Sequence, residues 1–256
     1  AISDAAPGRK TALFKSGFIG IIGRPNVGKS TLLNAVVGER IAITTPKPQT
    51  TRNRITGIRN VPNGQMIFLD TPGIHRAATP LTPLMVGAAT DAFRTADLLL
   101  LLVEAPAGVH RGALAILHGL EKVRRPVILV INKTDLVPAD ALPALTAAFR
   151  EAFPFADALA LSALKERGID ALLDTLWQLL PEGPPFFPED QMTDRSERFV
   201  AAEIVREQVI LLTHKEIPYS TAVVVDTFRE DEAKKLISIQ ATIHVERDSQ
   251  KGILIG

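Results

Sequence analysis

Apolar residues in this chain gather in short runs set apart by stretches with helical spacing. Phe18–Ile22, Ile55–Ile58, Met66–Leu69, Leu98–Val103, Val127–Ile131 and Phe155–Leu161 have little polar interruption and read as strands. Thr31–Val37, Gly112–Lys122 and Ala141–Ala152 read as helices, the first ended by Gly38. Met85, Ala89 and Phe93 fall on one helical face, and Ile169, Leu172, Leu173, Leu176 and Leu180 give a further amphipathic helix. Pro62-Asn63-Gly64 is a turn between the second and third runs. Leu98–Val103 is continuous, the mark of a strand covered on both faces. Strands alternating with helices at this spacing predict a doubly wound α/β domain with a mostly parallel sheet.

The pattern changes after Leu180. Pro181–Pro188, with Pro184, Pro185 and Gly183 inside it, predicts a stiff linker. Ser196–Thr213 then reads as a helix and Thr221–Phe228 as a strand. From Leu236 to Glu246 the alternation is strict. Ile237, Ile239, Ala241, Ile243 and Val245 face one way, which predicts a half-buried strand with a solvated opposite face. The division expected is a loose tail over 1–16, the α/β domain over 17–181, the linker over 182–195 and a small α+β module over 196–256.

Composition narrows this picture only slightly. Net charge is +1, so the total gives no sign of a polyanionic partner. With no Cys, disulfides and thiolate metal sites are excluded and nothing argues for secretion. No apolar run approaches ~18 residues, so no membrane span is expected. The first segment lacks the long apolar centre of a signal peptide.

The candidate chemistry follows the strands. Gly23-Arg24-Pro25-Asn26-Val27-Gly28-Lys29-Ser30 fits the phosphate-loop pattern between a strand and a helix. Chance produces the bare pattern in roughly 1 % of chains of this length, and the flanking strand and helix lower that further. Backbone N–H groups and the helix dipole would make an electropositive point there. Lys29 adds a charge for the outer phosphates and Ser30 a hydroxyl for Mg2+. Residues 39–53 form a polar loop broken by Pro46 and Pro48, and loops so long inside a compact domain are usually functional. Thr50 and Thr51 are its candidates for completing the Mg2+ shell. Asp70-Thr71-Pro72-Gly73 opens directly from a strand. Its carboxylate suits an outer-shell Mg2+ partner, and Gly73 lets the backbone approach a γ-phosphate. The irregular stretch 74–83 is a candidate second switch. Asn132-Lys133-Thr134-Asp135 and Ser162-Ala163-Leu164 also follow strands. Guanine offers two donors on one edge, which the Asp135 carboxylate can accept together and adenine cannot supply. The plainer alternative is that Thr134 or Asp135 starts the next helix. Ligand groups in such folds gather at the carboxyl ends of strands, so these clusters should converge.

With these motifs the chain resembles GTPases of the translation-factor-related class, and more narrowly the Era family of bacterial GTPases. Gly23–Ser30, Pro48-Gln49-Thr50-Thr51-Arg52 and Glu216-Ile217-Pro218-Tyr219-Ser220 carry that resemblance, which runs from about Gly17 to Gly256. It implies a P-loop GTPase domain followed by a KH-like RNA-binding domain of type II, incomplete at its C-terminus. It also implies Mg2+-dependent hydrolysis of GTP to GDP and phosphate. Lys29, Thr51 and Gly73 would position and stabilise the γ-phosphate. Ser30 and Thr51 would hold Mg2+, with Asp70 behind a water. Arg24, Pro25, Asn26, Val27, Gly28 and Thr31 would line the phosphates. Asn132 and Asp135 would read the base, Lys133 would pack over the phosphate loop, and the backbone of Ser162 and Ala163 would support the base carbonyl, with Leu164 beside them in the nucleotide site. Asn26 matches an Asn that helps hold K+ in several related GTPases; its alternative role is to shape the turn. Ile74 stands where Ras-like proteins carry the Gln that orients the attacking water. His75 beside it reads as a solvent-facing loop residue rather than a base.

For the second domain the resemblance implies binding near the 3′ end of 16S ribosomal RNA and assistance in small ribosomal subunit assembly. The chain would work as a monomer in the cytoplasm, with peripheral contact to the inner face of the cell membrane. Lys251, Gly252 and Gly256 would stand at the start of the KH Gly-x-x-Gly loop, which clamps single-stranded RNA. From Glu197 to Gly256 there are 8 Lys/Arg against 10 Asp/Glu, a net of −2. Since RNA binding leans on positive charge, these residues alone are expected to bind RNA weakly. The alternative partner for this module is a protein or a membrane.

Overall fold

The computed structural model describes residues 13–45, 47, 55–70, 95–214 and 217–255. Six strands form one sheet in the order β2-β3-β1-β4-β5-β6. They are β1 Lys15–Gly23, β2 Ile55–Val61, β3 Gly64–Asp70, β4 Leu98–Glu104, β5 Val127–Asn132 and β6 Asp157–Ala160. All neighbours run parallel except the β2–β3 hairpin. Helices α1 Lys29–Val37 and α4 Ile169–Leu179 cover one face; α2 Arg111–Leu120 and α3 Ala141–Ala152 cover the other. Strand β4 shows why its sequence is a continuous apolar run. Leu98, Leu100 and Leu102 join the first core, while Leu99, Leu101 and Val103 join the second.

Strand β1 begins two residues inside the expected tail. The Lys15 amide donates to Asn63 O (3.0 Å) and the Ser16 amide to Pro181 O (3.1 Å). Polar side chains at these positions hide the strand from an apolar pattern.

The Pro-rich segment does more than space two modules. Pro184 O accepts from Ser16 Oγ (2.6 Å), and Met192 O accepts from the Ile58 amide (2.8 Å). Thr193 bridges to Gly57, and Asp194 accepts from Thr56 Oγ1 (2.9 Å). Gln65, only 1 % exposed, accepts the amides of Phe186 and Phe187 and donates to Phe187 O. The segment thus lies along β2 and satisfies the open hydrogen-bonding groups of an edge strand.

Beyond it, α5 Glu197–Leu212 starts at Ser196, whose hydroxyl accepts the Phe199 amide (3.3 Å). It packs on β7 Thr221–Asp231, which pairs antiparallel with β8 Leu236–Val245; α6 Asp248–Ile255 follows. The alternating strand forms, but its apolar face is not half-buried. Ile237 is 56 % exposed and Ile239 45 %. Alternation fixes which residues share a face, not what covers it. In this two-stranded sheet α5 lies mainly against β7.

Candidate nucleotide site

Parallel strands bring their carboxyl ends to one edge of the sheet, and the polar clusters collect there. β1 ends at Gly23, β3 at Asp70, β4 at Glu104 and β5 at Asn132, with Ser162 shortly after β6. The loop from β1 turns into α1 through Gly28 at φ 101°, a left-handed conformation suited to glycine. A Cβ on Gly28 would lie 2.4 Å from Asn132 Nδ2, so the position also demands the smallest residue on steric grounds.

Lys29 is 7 % exposed and folds its ammonium back into the loop, donating to Arg24 O (2.9 Å) and Gly23 O (3.3 Å). Burial lowers its pKa, and the nearby Asp70 charge opposes that shift. Asp70 is fully buried. Its Oδ2 accepts from Ser30 Oγ (3.0 Å), and its Oδ1 has no hydrogen-bond partner among the described residues. Burial pushes its carboxyl up to about 6, with Lys29 and the Ser30 hydroxyl pulling the other way. An under-satisfied carboxylate beside a serine hydroxyl and a lysine fits a hydrated divalent cation bridging to phosphates.

Asn132 bridges two loops. Its Nδ2 donates to Val27 O (2.9 Å), and its Oδ1 accepts the Ala163 amide (2.9 Å). Its carboxamide thereby fixes the phosphate loop against the Ser162-Ala163 loop. Asp135 sits in the short turn Thr134–Leu136 and does not cap α3, which starts at Ala141. Its Oδ1 accepts from Ser162 Oγ at 2.5 Å. That bond, ahead of the charges of Lys165 and Arg167, holds its carboxyl below the usual range. Asp135 is thus a charged acceptor oriented by a fully buried serine. Leu164 is exposed beside it.

Lys133 takes a left-handed backbone (φ 61°), and its Nζ lies 2.5 Å from Glu104 Oε2. The sequence reading passed over Glu104, although it ends a buried run as Asp70 and Asn132 do. The Ser162 side chain was likewise missed, because the motif drew attention only to its backbone. Arg24 Nη1 lies 3.0 Å from His110 Nε2 at the start of α2. Asn26 is also left-handed (φ 62°), a conformation that Asn tolerates. Thr50, Thr51, Gly73, Ile74, His75, the helical face around Ala89 and Gly256 lie outside the described residues. Lys251 and Gly252 lie in α6, apart from this cluster in the element order.

Comparison with known proteins agrees with this geometry. Residues 18–133 match the family model described as a 50S ribosome-binding GTPase, and residues 216–256 match the KH domain. GTPase Era of Syntrophus aciditrophicus (strain SB) is 61 % identical over 244 residues, covering 95 % of this chain and 80 % of the relative. The chain belongs to the Era family of GTPases. GTPase Era of Geobacter sp. (strain M21) is 53 % identical, with 95 % and 82 % covered. An Aquifex aeolicus Era variant bound to GDP·AlF4− superimposes with a TM-score of 0.86 at 40 % identity, over 95 % of this chain and 83 % of that one. An Era structure holding MgGDPNP and nucleotides 1506–1542 of 16S ribosomal RNA gives the same values. As an Era-family protein this chain is a Mg2+-dependent GTPase.

Proposed function

We propose that this chain is a GTP-operated switch that acts on the 3′ region of 16S ribosomal RNA and assists assembly of the small ribosomal subunit. The observation that carries the nucleotide half is the buried Asp70, one oxygen on Ser30 and the other without a partner among the described residues, at the strand edge that also holds Lys29 and Asp135. The RNA half rests on the KH match and on the relative that holds 16S nucleotides.

In this reading Lys29 leaves its two loop carbonyls and takes the β- and γ-phosphates, with Arg24, Pro25, Asn26, Val27, Gly28 and Thr31 around them. Ser30 and Thr51 bind Mg2+, and Asp70 holds it through a water. Bound Mg2+ neutralises charge on the phosphate oxygens that leave with GDP. Asp135 accepts both donors of the guanine edge, while Asn132 keeps the two base-side loops in register. The backbone of Ser162 and Ala163 supports the base carbonyl with Leu164 beside it, and Lys133 packs over the phosphate loop. Gly73 admits the γ-phosphate, so its loss releases Gly73 and Thr51 together. Catalysis here is positioning and charge stabilisation without a covalent nucleophile. Asn26 additionally contacts K+, and hydrolysis faster in K+ than in Na+ at equal ionic strength tests that role.

The protein works as a monomer in the cytoplasm, and Lys251, Gly252 and Gly256 lead into the RNA clamp. No helix among the described residues is long and apolar enough to cross a membrane. The exposed apolar face of β8 favours one second reading, peripheral contact with a membrane or a protein. The deciding experiment is titration of the protein with the 3′ tail of small-subunit ribosomal RNA, with a non-hydrolysable GTP analogue and then with GDP. Tight binding favoured by the GTP state is expected. No binding in either state removes the ribosomal role and leaves the GTPase.

A further inference from the structure

Two lysines stand in the candidate site, and their ammonium groups are held differently. Lys29 donates to two neutral carbonyls, Arg24 O and Gly23 O. Lys133 meets a carboxylate instead. Its Nζ lies 2.5 Å from Glu104 Oε2, and Glu104 is its one hydrogen-bond partner among the described residues. A charge-assisted contact of this kind is about twice as strong as a neutral one. The pair is partly shielded from water, with the Lys133 side chain 31 % exposed and that of Glu104 26 %.

The backbone places Glu104 on the ligand edge of the sheet. β4 lies between β1, which opens into the phosphate loop, and β5, which opens into Asn132–Asp135. Leu102 is level with Gly23 on one side, and Glu104 is level with Asn132 on the other. Neighbouring strands are only about 4.8 Å apart, and the Asn132 carboxamide itself donates to Val27 O of the phosphate loop. The strand order also reverses here, with β3 on one side of β1 and β4 on the other, and open α/β sheets bind ligands at such a point. The turn Ala105–Ala107 follows Glu104 and packs on the turn Thr134–Leu136 that carries Asp135. Lys133 precedes that second turn in a left-handed backbone conformation (φ 61°). A residue with a Cβ keeps that conformation only where its surroundings hold it.

We infer that Glu104 is a positioning residue of the nucleotide site that acts through Lys133. The inference rests on the reading above, in which the site takes guanine nucleotides and Lys133 packs over the phosphate loop. The Glu104 carboxylate anchors the Lys133 stem, and the ammonium cancels the Glu104 charge. Lys29, held by carbonyls alone, is the lysine that moves to the phosphates. Without the Lys133 charge, Glu104 is an uncompensated anion at an edge that receives a polyanion, and like charges repel.

The test is a double-mutant cycle read by titration of the Mg2+-loaded chain with fluorescent GDP. The proteins are wild type, Glu104→Gln, Lys133→Met and the double variant, all close to the native side chains in size. Glu104→Gln is expected to weaken GDP binding in the wild type, where it releases the Lys133 stem. In the Lys133→Met background the same substitution is expected to strengthen binding, because it removes the uncompensated charge. That gain should shrink as NaCl is raised, since salt screens charge repulsion. Should Lys133→Met bind no GDP, the double variant is expected to bind it. The inference is overturned if Glu104→Gln costs the wild type nothing, if it restores nothing to Lys133→Met, or if the gain is independent of salt. Each of these leaves the GTPase reading in place, whereas a wild type that binds no GDP overturns both.

Discussion

Replacing Asp70 by Asn should change how the ligand-free protein responds to pH. Asp70 is wholly buried, and its carboxyl is pushed up to about 6 from the ordinary 3.8, desolvation outweighing Lys29 and Ser30. A folded-state pKa above the unfolded one means that folding takes up a proton. Stability from this group is therefore complete below the unfolded pKa and is lost as pH rises through 6. At about 1.4 kcal/mol per unit, the full loss is about 3 kcal/mol. Between pH 5 and pH 7.5 the share is about 1.4 kcal/mol, because pH 5 lies about one unit below the folded pKa. For a chain of this size that is about 3–5 °C in Tm. Asn has no proton to lose, and groups away from the site cancel in the comparison. Thermal unfolding of both proteins without nucleotide or Mg2+ should show the wild type gaining about 3–5 °C on Asp70→Asn when pH falls from 7.5 to 5. A difference that stays flat, or that moves the other way, would refute the buried, under-satisfied carboxylate from which the Mg2+ site is argued.

Three further outcomes follow from single contacts. Ser162→Ala leaves Asp135 without its orienting donor, and GDP affinity should fall, as titration with a fluorescent GDP would measure. Gly28→Ala drives a methyl into Asn132 at a left-handed backbone, so nucleotide binding should be lost, with about 1–2 kcal/mol of destabilisation in chemical denaturation. Gln65→Ala strips the linker of its buried partner and should cost about 2–4 kcal/mol, seen as a Tm about 4–16 °C lower with GDP affinity retained.

The strands, the helices and the phosphate loop were legible because their signals are local. A run such as Leu98–Val103, or a loop such as Gly23–Ser30, carries its meaning in adjacent residues. Convergence of Asp70, Asn132 and Ser162 on one edge was also readable, since parallel strands leave their carboxyl ends on the same side. Contacts made across long sequence separations were hidden. Nothing near Gln65 announces that Phe186 and Phe187 will dock on it, and nothing near Glu207 announces that its carboxylate will accept the Thr44 amide. The bridge that the Asn132 carboxamide makes from Val27 to Ala163 was hidden in the same way. The β8 alternation named the correct face but overstated its burial, because burial is decided by the neighbouring layer.

The central claim is that Asp135, oriented by Ser162, makes this a guanine-specific site. The most direct measurement is competitive titration of GDP against xanthosine diphosphate, for the wild type and for Asp135→Asn. The wild type should prefer GDP. The variant, which offers a donor and an acceptor in place of two acceptors, should prefer the xanthine nucleotide. A variant that keeps the wild-type order would contradict the assignment of Asp135 and with it the reading of the site.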